Sequence, residues 1–256
     1  MTATDVVVEA FTELAPRYED SLDRELQACW GLSYKDFVSQ LVDIVSVERS
    51  GVILDVATGT ARIPMSMVSR MDGRSVAVGL DITPAMLKCG LANIKANALN
   101  PRIKLVCASA MGMPFADSLF DVVICGFATH HMDVPKMLSE IRRVLKEGGH
   151  LVLAEVMAPS FWRTSVANAV LGIAAPLCEI AHMSARVRAE VSAIANIRTA
   201  AQWRTILSSF GFGEIKMVAE FAGRRPWYPG ALALKATKER RQRSLLMLNS
   251  RKAVTR

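Results

Sequence analysis

A chain of 256 residues, 51% of them apolar, can bury one large core with a small appendage. Its net charge of +7 sits at one end. Residues 235–256 hold eight lysines and arginines against the single acid Glu239, a surplus equal to that of the whole chain, so the body is neutral and does not read as a nucleic-acid surface.

The first residues, MTATDVVVEAF, lack the basic start and apolar run of a secretory leader. The most apolar later stretch, 165–178, falls short of the roughly 20 residues of a bilayer span, so a soluble, cytoplasmic protein is expected. Cys29, Cys89, Cys107, Cys125 and Cys178 are scattered with no CxxC, which reads as free thiols. Adjacent residues such as His130 and His131 rarely converge on one ion, and no metal site is expected.

Residues 3–47 read as helices, with apolar spacing in VVVEAFTELA and again in YKDFVSQLVDIV. From residue 51 short strands alternate with helices. GVILDVA is a strand, and ARIPMSMVSRM a helix with Pro64 in its first turn. SVAVGLD is the second strand, and PAMLKCGLANIKANAL a helix opened by Pro84. RIKLVCA and LFDVVICGFA are the third and fourth strands. DVPKMLSEIRRVLKEGG is an amphipathic helix with a glycine stop, and HLVLAEVMA the fifth strand.

Such alternation predicts an α/β, Rossmann-like sheet, mostly parallel, with helices on both faces. After Pro159 an apolar helical insert is expected over about 160–198, carrying Trp162, Leu171, Ile173, Leu177, Ile180 and Met183. Two strands joined by a Gly/Pro loop, GEIKMVAEFAGRRPWYPGALALKAT, then complete seven strands, the last antiparallel. The expected units are an N-terminal helical lid over 1–48, the sheet domain over 49–236 and a basic tail over 237–256.

Ligands of open parallel sheets sit at the carboxyl ends of the strands, which places the loop ILDVATGTAR at the candidate site. Gly59 and, 22 residues on, Asp81 make a weak nucleotide signal by themselves and suit nicotinamide enzymes equally.

The downstream text is more specific. CASAMGMPFADSLFDVVICGF followed by EIRRVLKEGGHLVLAE resembles the class I S-adenosylmethionine-dependent methyltransferases, with Pro114-Phe115, Leu119-Phe120-Asp121 and 143–149 in the positions of that class's motifs. GLDITPAMLKCG, AMGMPFADSLFD and FTELAPRYE are most similar to the ubiquinone/menaquinone C-methyltransferases.

The resemblance implies S-adenosyl-L-methionine as cofactor. It would be held by Tyr18 as a lid, by Asp55, Ala57, Thr58, Gly59 and Thr60 of the loop, by Asp81 and Ile82 at the ribose, by Ser109 and Ala110 near the adenine, and by Gly126 at the far edge. Ala57 and Ala61 stand where the class carries glycines, and Ser109 where it carries an acid. His130-His131 replaces the Arg-Asn pair of the quinone enzymes.

Methyl transfer from a sulfonium is an in-line displacement that relies on positioning and, for some acceptors, on a base. His131, His130 and Glu155 are the candidate catalytic residues at the strand ends. The expected acceptor is small and lipophilic, a quinone-type ring carbon or a hydroxyl. A cofactor-binding protein that no longer transfers methyl, such as a pericyclase-like catalyst or a complex subunit, stands as an alternative, and an RNA methyltransferase as a more distant one. The tail reads as a solvated terminus, with contact to anionic lipid headgroups, nucleic acid or a second subunit as competing readings.

Overall fold

The computed structural model describes residues 2–45, 51–71, 73–157, 185–194, 196–225 and 228–240. Three helices come first: α1 (Ala3–Leu14), α2 (Tyr18–Trp30) and α3 (Tyr34–Ile44). Thr2 and Asp5 form a capping box on α1, and Ser33 caps α3 through the Asp36 amide. Gly31, at φ 70°, ends α2 in the left-handed conformation that favours glycine.

The strands are β1 (Val52–Val56), β2 (Val76–Asp81), β3 (Ile103–Cys107), β4 (Phe120–Gly126), β5 (Leu145–Met157), β6 (Phe212–Phe221) and β7 (Gly230–Lys238). They form one sheet in the order β3-β2-β1-β4-β5-β7-β6. β1 to β5 pair in parallel, and β7 enters antiparallel between β5 and β6. The expected seven-stranded, mostly parallel architecture is therefore present. α4 (Arg62–Arg70), α5 (Pro84–Ala96), α6 (Val134–Val144), α7 (Ala185–Ile194) and α8 (Ala200–Ser209) complete the described elements.

Period-two alternation sends neighbouring residues of each strand into different cores. Leu54, Val123, Leu151 and Leu234 pack on one face with Met137 and Ile141 of α6 and Trp203 of α8. Ile53, Ile124, Val152 and Ala233 pack on the other with Phe37 and Leu41 of α3 and Met67 of α4. The motifs between β3 and β5 serve the scaffold. Arg143 donates to the carbonyls of Met113 and Phe115 and to Asp117, lashing three turns together. Asp121 accepts from the Val52 amide at 2.9 Å and from Lys146 Nζ at 2.7 Å, which fixes the start of β1. A Cβ on Gly149 would lie 2.9 Å from the Asp121 carbonyl, so the backbone approach there requires glycine.

Two expected boundaries move. α6 stops at Val144 rather than at the Gly148 stop, because Leu145 already pairs with Phe120 across the sheet. Thr237 and Lys238, expected to begin the tail, belong to β7, and Lys238 Nζ donates to the Leu145 carbonyl at 2.7 Å. Residues 158–184, most of the expected insert, and 241–256, most of the basic tail, lie outside the described residues.

Trp203 is fully buried and its indole N–H has no hydrogen-bond partner among the described residues. Trp203→Phe removes that unsatisfied donor together with some packing, and is expected to cost no more than about 1 kcal/mol by denaturant unfolding. Trp203→Ala leaves a cavity and is expected to cost about 3–5 kcal/mol.

Candidate functional site

Strand order reverses between β1 and β4, and the loop 57–61 crosses the carboxyl end of the sheet at that point. Ala57 (φ 58°), Gly59 (φ 54°) and Ala61 (φ 64°) are all left-handed. The loop thus keeps a glycine-type path at its two alanines, at about 1–2 kcal/mol each for an L-residue.

Hydrogen bonds hold that path. The Thr58 amide donates to the Leu80 carbonyl at 2.9 Å, the Gly59 amide to Asp81 Oδ2 at 2.9 Å, and Thr58 Oγ1 to Asp55 Oδ2 at 2.7 Å. Room for the loop comes from its neighbours. A Cβ on Gly79 of β2 would stand 2.7 Å from Thr58, and one on Gly90 of α5 would stand 3.2 Å from the Thr60 carbonyl carbon. α4 begins directly after Ala61 with no side-chain cap, leaving first-turn N–H groups free.

The N-terminal helices are tied to this loop by one carboxylate. Glu19 accepts from Thr60 Oγ1 at 2.8 Å, Arg62 Nε at 2.6 Å and Asn93 Nδ2 at 3.0 Å. Glu19 escaped sequence reading, although its position beside Tyr18 in FTELAPRYE was the available signal.

A cleft opens over the loop. Of the residues singled out from sequence, Tyr18, Ala57, Gly59, Asp81, Ile82, Ser109, Ala110 and Gly126 line it. Thr58 and Thr60 brace the loop from below, and Asp55 is buried beneath it. Thr4, Val7 and Phe11 of α1 and Met86 of α5 also line the cleft; on the sequence they read only as helix-face residues.

Asp81 Oδ1 accepts from the Thr83 amide at 2.8 Å, so this carboxylate grips two turns. Burial raises its pKa, opposed by those amides. Asp55 has one oxygen on Thr58, while Oδ1 has no partner among the described residues. Burial, with Asp81 nearby, pushes its pKa up to about 7.

A second chamber, of about 590 Å³, adjoins the first. The two share Phe11, Tyr18, Phe127 and His131. Its wall is mostly apolar, with Leu14, Leu22, Leu26, Trp30 and Ile194 among the lining residues, while Glu25, Arg186, His130, His131 and Glu190 supply its charged and titratable groups.

Glu155, a candidate catalytic residue, lines neither cavity. It is 1% exposed and accepts from the Thr129 amide, Thr129 Oγ1, the Val156 amide at 2.9 Å and His130 Nδ1 at 2.7 Å. It therefore positions the turn after β4. Burial alone would lower the pKa of His130, but the Glu155 carboxylate outweighs it and raises it. Burial and the neighbouring His130 push His131 down to about 3, which keeps it neutral.

The turn also brings the rings of the adjacent histidines together. Their ring centroids are 4.2 Å apart, and Glu190 Oε1 of α7, another residue missed from sequence, lies 3.9 Å from His131 Nε2.

The profile of the ubiE/COQ5 methyltransferase family matches residues 3–177. The chain belongs to the ubiE/COQ5 methyltransferase family. The ubiquinone/menaquinone biosynthesis C-methyltransferase of Geobacter sp. is 34% identical over 59% of this chain and 63% of its own length. The demethylmenaquinone methyltransferase of Thermus thermophilus is 37% identical over 58% of this chain and 65% of its own. The match thus spans a little under two thirds of these relatives. Among solved structures, phosphoethanolamine N-methyltransferase 2 of Haemonchus contortus, at 14% identity, superposes with a TM-score of 0.65 over 91% of this chain and 60% of that one, a likeness of fold. In this ubiE/COQ5 member the glycine-poor loop retains the left-handed backbone at three positions.

Two outcomes follow for this loop. Asp55 binds its proton more tightly folded than unfolded, so its contribution to stability is full below its ordinary value near 3.8 and is lost as pH rises through about 7. Thermal unfolding of the ligand-free protein is expected to show the difference between wild type and Asp55→Asn widening from pH 5 to pH 8, with the wild type losing ground. Ala57→Gly relieves left-handed strain but adds chain entropy, and is expected to stabilise by less than about 1 kcal/mol.

Proposed function

We propose that the chain is an S-adenosylmethionine-dependent methyltransferase acting on a lipophilic, quinone-type acceptor in the second chamber. The observation that carries this reading is the shared wall: Phe11, Tyr18, Phe127 and His131 border both cavities, so a group in the cleft meets a mostly apolar space beside the imidazole of His131. The quinone names of the relatives support the acceptor class.

The residues present fit the cofactor. Asp55 Oδ1, buried and unpartnered, suits an ammonium, and the uncapped start of α4 suits a carboxylate. Asp81 lines the cleft, where its carboxylate suits ribose hydroxyls as donors. Ser109 and Ala110 border the adenine end, where Ser109 Oγ already accepts from the Met111 amide at 3.2 Å. When bound, the cofactor supplies an electrophilic methyl group on a sulfonium.

The chain's own part is positioning. Phe11 and Tyr18 of the N-terminal segment cover the junction and exclude water. Phe127, stacked on Phe37 at 4.4 Å and on Trp30 at 5.4 Å, forms a flat aromatic wall for a ring. The pole of His130, His131 and Glu190 polarises a hydroxyl on the acceptor, and Glu155 fixes that pole by gripping His130 and Thr129. No helix among the described residues is long and apolar enough to cross a membrane, so a membrane-derived acceptor would be reached from the surface.

Radiolabelled methyl transfer to lipid extract, RNA and water-soluble metabolites tests the reading. Label is expected in the lipid quinol fraction; label only in RNA would overturn the acceptor class, and cofactor binding without transfer to any fraction would favour a non-methylating role. By calorimetry, Asp81→Ala is expected to weaken S-adenosylhomocysteine at least tenfold, about 1.4 kcal/mol. His131→Ala is expected to lower kcat while leaving that affinity within about twofold.

A further inference from the structure

We propose that His130, His131 and Glu190 form a binding site for one divalent transition-metal ion of the zinc or iron(II) class. One ligating atom from each residue lies within 4.8 Å of the other two. Two imidazoles and one carboxylate are a donor set that suits these ions, whereas magnesium and calcium favour all-oxygen sites.

The geometry behind the first ligand is a second observation. Nδ1 of His130 is held by Glu155 at 2.7 Å, which leaves Nε2 as the nitrogen for a ligand. A carboxylate behind a metal-binding histidine fixes its tautomer and ring orientation and raises its basicity. Here that carboxylate is itself immobilised by the Thr129 and Val156 amides. The backbone is fixed as well, since the His130 carbonyl accepts from Asn196 Nδ2 at 3.1 Å.

His131 is oriented by an edge-on contact with Phe11, at 5.5 Å between centroids. Its Nε2 faces Glu190 Oε1 at 3.9 Å. Neighbouring ligands of an ion with bonds of about 2.1 Å stand roughly 3.0–3.4 Å apart, so the set must contract. The half-exposed Glu190 supplies part of that movement by a change of rotamer, and small rotations of the two imidazoles supply the rest.

Three protein ligands leave open positions, and these face the chamber that all three residues line. An oxygen of the acceptor, such as one of two adjacent ring hydroxyls, would fill them. Only this last step rests on the proposed function; metal binding does not require it.

The test uses the full chain, stripped by dialysis against a chelator and titrated with zinc, cobalt(II) and magnesium without cofactor or acceptor. Calorimetry is expected to give about one zinc per chain at micromolar affinity or better, with no saturable magnesium binding. Cobalt is expected to develop visible ligand-field absorption. Glu190→Gln and His131→Ala should each weaken zinc by tenfold or more, and Glu155→Gln by roughly 10–100-fold, with thermal unfolding confirming that each variant is folded. Cys107→Ser, which removes an exposed thiol, should leave binding unchanged. Absence of saturable zinc binding, or equal binding by His131→Ala and Glu190→Gln, overturns the site. Catechol is the probe for the open positions: a change in the cobalt spectrum supports them, and an unchanged spectrum overturns the oxygen-ligand step alone, whatever the outcome of the methyl-transfer assay.

Discussion

One buried carboxylate holds the functional end of this protein together. Asp81 closes β2 and grips the amides of Gly59 and Thr83, so the loop after β1 and the turn into α5 share one anchor. The backbone of the loop needs that anchor because three of its residues sit in left-handed conformations, two of them alanines. Asp55 lies beneath with an unpartnered oxygen, making the loop a lid over buried acceptor capacity. A place built in this way is complementary to a zwitterion, whose ammonium relieves the buried acids and whose carboxylate meets the open start of a helix.

The same economy joins the N-terminal helices to the sheet. Glu19 binds Thr60, Arg62 and Asn93, drawing on the loop, on α4 and on α5. α2 and the loop therefore act as one body, and Tyr18, the neighbour of Glu19, is held over Gly59. α1 is secured differently, through small residues, with Ala10 packed on Ala185 and Ala189 of α7. Val6 and Val7 pack against the same cluster, and Arg188 of α7 pairs with Glu9 of α1 at 3.4 Å.

The architecture was legible in the sequence because alternation is written twice, once in strand–helix order and once in the residues within each strand. Ile53 and Leu54 go to different cores, as the period of two demands. Asp81, Gly59 and Gly126 were readable from the motif order, and all three reach the cleft. The end of α6 was misread because Gly148-Gly149 suggested a helix stop. The Leu145–Phe120 pairing and the approach of Gly149 to Asp121 decide it instead, and neither is a local property. Glu155 was a candidate catalytic residue on the sequence; its four donors come from residues 129, 130 and 156, a convergence that no single segment displays. Glu190 left no signal at all, since its role depends on α7 folding back over the turn after β4. The loop's own glycine count does not report the space around it, which is made by Gly79 and Gly90 on neighbouring elements.

The place of β7 has a consequence for the order in which the chain can be finished during synthesis. β5 finds its outer partner only in Gly230–Lys238, and Trp203, Phe212 and Leu232 join the larger core after the first five strands. A ribosome that has made the first five strands thus exposes an apolar sheet with an open edge, the kind of surface that recruits other strands. The β6–β7 hairpin is the closing stitch, because it covers that edge of β5.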